Sequence, residues 1–180
     1  MFDLIIPCLY KHYHNLSKTI NSFHHQHLLN NIIIILNDIP KNNLDNIDNI
    51  KTKSNIILIK KIEKIPPGIA RNIGISYSKS EYLIFHDADD KAHPDKLLIL
   101  KYCFENFDCD HILHLIQPIE YKFLSYSLDK IKIIDCQPIN NYYKKHKNLD
   151  FGNIINKRIS QGLIAIKKIK LLGLEWIDKT

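Results

Sequence analysis

With 180 residues, 45% of them hydrophobic and 24% charged, the chain has room for one compact domain with a sizeable core and has ordinary globular proportions. The formal net charge of +6 does not make it a nucleic-acid binder: the lysines are scattered, the arginines are only Arg71 and Arg158, and no basic stripe forms. Met1-Phe2-Asp3-Leu4-Ile5-Ile6-Pro7 lacks a basic leader and a long apolar region, no run approaches the length of a membrane span, and the cysteines (Cys8, Cys103, Cys109, Cys136) lack a framework spacing, so a cytoplasmic protein with reduced thiols and no transmembrane segment is expected.

In chain order, Phe2 to Pro7 predicts a first strand ended by its proline. Leu16, Ile20, Phe23 and His27 recur at helical spacing and predict a helix from Leu16 to about His27, capped by Asn15 or Ser17. The β-branched run Ile32 to Leu36 predicts a buried second strand, broken by Asn37-Asp38-Ile39-Pro40, and Asn55 to Ile59 a third. Pro66-Pro67-Gly68 predicts a turn into a helix carrying Ile69, Ala70, Ile73 and Tyr77, and Tyr82 to His86 a fourth strand. Pro94 suits the first turn of a helix continuing through Leu97, Leu98, Lys101 and Phe104. Later strands are expected at His111 to Ile116, Ile131 to Ile134 and Gly162 to Ile166. A loop is expected over Asn140 to Lys157 and a short helix around Lys168 to Leu172.

Alternating strands and helices imply parallel strands joined by crossovers, with ligands bound outside the carboxyl ends of the strands. Pro7, Asp38 and Asp87 all follow predicted strand ends and are expected to converge there. The most informative stretch is Tyr82-Leu83-Ile84-Phe85-His86-Asp87-Ala88-Asp89-Asp90, an apolar strand that runs into three carboxylates. Read alone, it is a solvated acidic turn ahead of the next helix. Yet aspartates crowded at one strand end repel one another, and a hard divalent cation, Mg²⁺ or Mn²⁺, relieves that repulsion while sharing its ligands with phosphates. His86 and His93 flank this run and read as packed or capping histidines. Cys103, Cys109, His111 and His114 match no standard zinc spacing.

Gly68-Ile69-Ala70-Arg71-Asn72-Ile73-Gly74-Ile75, Ser80 to Asp90 and Pro94-Asp95-Lys96-Leu97 together resemble the core of family 2 glycosyltransferases, with Leu4-Ile5-Ile6-Pro7 and Ile32 to Asp38 similar to the family's first two strands. The resemblance covers roughly residues 2 to 107; Gly162 to Lys168 is similar to a strand on the acceptor side. It implies an α/β fold of the GT-A type, a Rossmann-like, mostly parallel sheet with helices on both faces. One domain over 1–180 is expected, with a nucleotide-sugar-binding half at 1–107 and an incomplete acceptor-side half at 108–180. It further implies a metal-dependent transfer of a sugar from a nucleotide-sugar donor, a UDP-sugar favoured, to an acceptor hydroxyl that the sequence does not identify.

The resemblance assigns roles by position. Asp87 would lie near the donor ribose or metal, and Asp89 would bind the Mn²⁺ or Mg²⁺ that bridges the diphosphate. Arg71 would lie near the nucleotide, Asp38 would contact the base, and Pro7 would open the loop over the nucleotide. Leu36-Asn37-Asp38-Ile39-Pro40 stands where relatives usually carry an acidic pair and Gly-Ser. Gly173 to Asp178 resembles the lead-in to a downstream acidic motif, and Glu175 and Asp178 are the late carboxylates from which a base would be drawn. Two other readings stand beside the enzyme: a noncatalytic nucleotide-sugar-binding or scaffolding domain, and a nucleotidyltransferase. The latter is disfavoured because Cys8 to His14 is bulky and aromatic rather than a Gly-rich phosphate loop.

Overall fold

A computed structural model describes residues 1–44, 55–113 and 164–171, all within one compact unit. The strand expected at Ile131 to Ile134, the loop at Asn140 to Lys157, His114, Cys136, Glu175 and Asp178 lie outside the described residues. Among the described residues no helix is long and apolar enough to cross a membrane.

Among the described residues six strands form one sheet in the order β3-β2-β1-β4-β6-β5: β1 (Phe2–Leu9), β2 (Leu29–Asn37), β3 (Asn55–Lys60), β4 (Tyr82–Phe85), β5 (His111–Leu113) and β6 (Ile164–Lys167). β1 pairs in parallel with β2 and β4, and β2 with β3. β6 runs antiparallel to β4 and to β5, so the sheet is mixed at one side and parallel at its centre. The fold is α/β, a mostly parallel sheet with helices on both faces.

Isoleucine-rich strands buried on both faces require cover on both. Alternation along β1 sends Leu4, Ile6 and Cys8 to one face and Ile5 to the other. The first face packs against α1 (Leu16–Phe23) and α3 (Lys96–Asn106) through Leu16, Ile20, Phe23, Leu97, Leu100 and Phe104. The second packs against α2 (Pro67–Tyr77) through Ala70 and Ile73. Gly74 of α2 lies directly on the sheet: a Cβ there would sit 2.4 Å from Ile5 Cγ2 and 3.0 Å from Ile35 Cδ1. Ile5 Cγ2 is fixed to a β-branched carbon of a buried central strand and has nowhere to go. Gly74→Ala is therefore expected to lower stability by about 1–3 kcal/mol despite the better helix propensity of alanine. Urea unfolding measures this, and an unchanged midpoint would mean that α2 can ride further from the sheet.

Several boundaries differ from expectation for identifiable reasons. Pro7 does not end β1, which continues to Leu9 in register with β2. What ends at Pro7 is the pairing with β4. The His86 N–H donates to the Ile5 carbonyl at 3.1 Å, and Pro7 has no N–H with which to continue that ladder. α1 stops at Phe23, where the Gln26 N–H closes a turn on the Phe23 carbonyl at 3.0 Å. Neither Asn15 nor Ser17 caps α1 by a side-chain bond, because a 3-10 turn over Tyr10–Asn15 leads straight into it. Pro94 precedes α3 by two residues rather than sitting in its first turn. The element after β6 is a 3-10 turn, Lys168–Leu171.

Candidate active site

β1 is the strand at which the sheet order reverses, with β2 on one side and β4 on the other. A crevice opens beyond such a reversal, because the connections leave in opposite directions. It is present here as a pocket of about 630 Å³. Pro7, Cys8 and Leu9 line it from the end of β1, His12 from the following turn, Asn37 from the end of β2, and Asp87, Ala88 and Asp89 from the exit of β4. Lys64, Ile65, Pro66 and Pro67 line it from the segment entering α2, and Arg71 from that helix. Of the residues expected to converge, Pro7, Arg71, Asp87 and Asp89 share this pocket.

Asp38 is not among the lining residues. It is exposed, with φ of 62°, a left-handed conformation that aspartate tolerates better than most residues. Its N–H donates to the Glu63 carbonyl at 3.1 Å, and Ile39 N–H donates to Lys61 O at 3.3 Å. These bonds turn the chain at the end of β2 and leave Asn37 facing inward. The Asn37 amide is buried; its Nδ2 donates to the Cys8 carbonyl at 3.1 Å and its Oδ1 accepts from the Ile65 N–H at 3.2 Å. One side chain thus ties together three segments of the pocket wall. Asn37, rather than its acidic neighbour Asp38, lines the pocket. Its signal was a polar residue ending an otherwise apolar strand.

Arg71 is nearly fully buried, and its Nη2 lies 3.5 Å from Oδ1 of the half-buried Asp87. Asp89 is exposed and Asp90 half-buried. Burial, reinforced by the charges of Asp87 and Asp89, pushes the Asp90 carboxyl above the usual carboxylate range, against the pull of Lys96.

Lys96 follows Pro94-Asp95 at the start of α3. It is buried, and burial brings its ammonium down to about 7 against the opposing pull of Asp90 and Asp87. His86 is packed edge-on against Phe23, with ring centroids 5.0 Å apart, and its Nδ1 lies 2.9 Å from the Asp87 carbonyl. Burial, aided by the Lys96 charge, pushes its pKa down to about 3, so it is a neutral packing residue. Burial and the charge of Asp89 push the Cys8 thiol up to about 12, which leaves no thiolate to act as a nucleophile near neutral pH. Cys8, Cys103 and Cys109 are all free thiols.

Among the described residues no three His, Cys, Asp or Glu side chains converge as a ready-made metal cage. Two carboxylates beside an open pocket fit a hard cation that takes its remaining oxygens from water and a substrate's phosphates, and they do not fit a closed site of zinc type.

The model of glycosyl transferase family 2 matches residues 3–167. No curated protein sequence matches the chain. Among solved structures, the chain is similar to TarS 1–349 of S. aureus in complex with UDP-GlcNAc, at a TM-score of 0.64 and 15% identity over 96% of this chain and 46% of that one. The complex of the same protein with UDP gives a TM-score of 0.63 and 16% identity, over 96% of this chain and 48% of that one. The mannosyltransferase PcManGT of Pyrobaculum calidifontis, in complex with GDP-Man and Mn²⁺, gives a TM-score of 0.50 and 12% identity over 66% of this chain and 36% of that one. The chain thus spans about half the length of TarS 1–349, and at these identities the likeness is one of fold. Taken with the family model, which spans nearly the whole chain and both sides of the sheet reversal, it establishes that the chain belongs to glycosyl transferase family 2.

Proposed function

We propose that the chain is a metal-dependent glycosyltransferase whose pocket binds a nucleotide-sugar donor, a UDP-sugar favoured, for transfer of the sugar to an acceptor hydroxyl. The observation that carries this reading is the meeting of Asp87, Asp89 and Arg71 in one pocket at the carboxyl ends of β1, β2 and β4. Support comes from the ligands named with structures of similar fold: UDP and UDP-GlcNAc with TarS, GDP-Man and Mn²⁺ with PcManGT.

On this reading Asp87 and Asp89 would hold Mn²⁺ or Mg²⁺, which would share its remaining sites with the donor's phosphates and water. A divalent cation there supplies stabilisation of the negative charge that develops on the departing nucleoside diphosphate. Arg71, buried against Asp87, fixes that carboxylate and adds a permanent positive charge to the pocket wall. Pro7, Cys8 and Asn37 shape the wall between the strand ends. Asp38, on the turn beside Asn37, reaches the base only where the donor extends past that wall. Transfer breaks the bond from the anomeric carbon to the diphosphate oxygen and forms one to the acceptor oxygen. The acceptor proton must pass to a base, proposed to be Glu175 or Asp178.

Calorimetric titration with UDP, with and without Mn²⁺, followed by donor hydrolysis and transfer assays, tests this reading. Metal-dependent binding with turnover is expected. Binding without turnover would favour the noncatalytic module, and absence of binding to UDP, GDP and their sugars would overturn the site. Arg71→Ala is expected to weaken Mn²⁺–UDP binding by roughly tenfold or more, since a charge-assisted partner of the site is lost. Titration of the variant checks this, and an affinity equal to wild type would leave Arg71 a purely structural partner of Asp87.

A further inference from the structure

The acid-bearing loop after β4 is bonded at several points by α1 and the turn that follows it. Buried Thr19 donates from Oγ1 to the Ala88 carbonyl at 2.7 Å. Ser22 Oγ accepts from the Ala92 N–H at 2.9 Å while donating to its own helix at the Thr19 carbonyl. Gln26, also buried, donates from Nε2 to the His93 carbonyl at 3.2 Å and accepts at Oε1 from the Leu97 N–H at 2.8 Å. Thr19 and Ser22 stand three apart on one face of α1, and Gln26 follows in the turn after it. They satisfy backbone groups at four successive points between Ala88 and Leu97, a loop separated from them by about seventy residues of chain.

Ala88 stands between Asp87 and Asp89. A hydrogen bond to its carbonyl fixes the peptide plane from which the Asp89 backbone departs, and with it the directions open to the Asp89 carboxylate.

We propose that Thr19, Ser22 and Gln26 are positioning residues that hold the Asp87–Asp89 segment in the geometry that binds a divalent cation with a nucleoside diphosphate. The inference rests on the proposed site. This set acts through backbone carbonyls and amides and touches no ligand itself. Its contribution is preorganisation: without it, the loop must be ordered at the expense of binding.

The test compares wild type, Thr19→Val and Thr19→Ser by calorimetric titration with Mn²⁺–UDP, at a temperature where circular dichroism shows every variant folded. Thr19→Val keeps the shape and removes the donor; Thr19→Ser keeps the hydroxyl. The expected result is affinity about tenfold weaker in the valine variant, the effect of one hydrogen bond, and near wild type in the serine variant. A purely structural role would lower the melting temperature of Thr19→Val without changing the affinity of the folded protein. Equal affinity in wild type and Thr19→Val overturns the proposal, as does equal weakening by valine and serine. Should Thr19→Val not fold, Ser22→Ala replaces it with the same expectation, because Ser22 is only half-buried. No binding to wild type overturns the site itself, an outcome distinct from the others.

Discussion

Asp89→Ala is expected to abolish Mn²⁺-dependent binding of UDP while the fold survives intact. The loss should reach at least about 100-fold, or ~2.8 kcal/mol, because one of the two carboxylates facing the pocket disappears and the site has few protein ligands to spare. Asp89 is exposed, so its removal opens no cavity. It also removes one of the charges that press on the half-buried Asp90 carboxyl, after burial itself. The metal-free variant should therefore melt at the wild-type temperature or slightly above. A ligand present at 100 times its dissociation constant stabilises by about 2.7 kcal/mol, which gives the melting curve a readable shift in wild type. That shift should vanish in Asp89→Ala. A shift of wild-type size would remove Asp89 from the metal site.

The centre of the fold was legible because its signals are local. Runs such as Ile32 to Leu36 and Tyr82 to Phe85 are short, apolar and β-branched or aromatic, and the chain between them carries helical spacing. β2 nevertheless extends to Leu29 and Asn37, because hydrogen bonding to β1 recruits residues whose own propensity is neutral or poor. Pro7 misled for the opposite reason. A proline blocks only the neighbour its missing N–H would face, and β1 needed that face no further once β4 had left the sheet. The antiparallel placement of β6 between β4 and β5 had no local signal; it is a tertiary choice.

Asp87 and Asp89, which line the pocket, stand out in the sequence because a strand exit crowded with carboxylates is chemically conspicuous. Arg71 stands out only through the resemblance; its burial against Asp87 is not visible in its helix pattern. Asn37 was missed since an amide carries no charge to draw notice, yet its two bonds join Cys8 to Ile65 across the pocket wall. Lys96 was overlooked because a lysine at a helix start normally points to water, whereas here burial beside Asp90 and Phe23 keeps it inside.

The opposite end of β1 gives the second large effect. Asp3 is fully buried at the start of the central strand and accepts six hydrogen bonds: from Asn30 Nδ2, Asn31 N–H and Asn31 Nδ2 on one oxygen, and from Ser78 Oγ, Lys79 N–H and Ser80 N–H on the other. The carboxylate thereby fastens the start of β2 and the loop into β4 to β1. Burial by itself would raise its pKa, but the bonds from Ser78, Ser80 and Lys79 outweigh it and hold the carboxyl below its ordinary value. Asp3→Ala would leave these donors facing one another without an acceptor, at a cost of about 3–5 kcal/mol, a large share of a typical folding free energy. Asp3→Asn keeps the shape yet turns an NH₂ towards N–H donors, so it should be only slightly milder. Because the folded pKa is depressed, the unfolded chain takes up this proton first as pH falls. The stabilisation is complete above about pH 3.9, the ordinary aspartate value, and is lost as pH drops from there through the folded pKa. Urea unfolding between pH 2.5 and 7 should therefore show stability falling with acid more steeply in wild type than in Asp3→Asn, by up to about 1.4 kcal/mol per pH unit. Equal acid limbs would show that folding does not depress the Asp3 pKa. Since Asp3 and the pocket residues Pro7 to Leu9 occupy opposite ends of one strand, whatever fraction of Asp3→Asn remains folded at neutral pH should bind Mn²⁺–UDP with wild-type affinity.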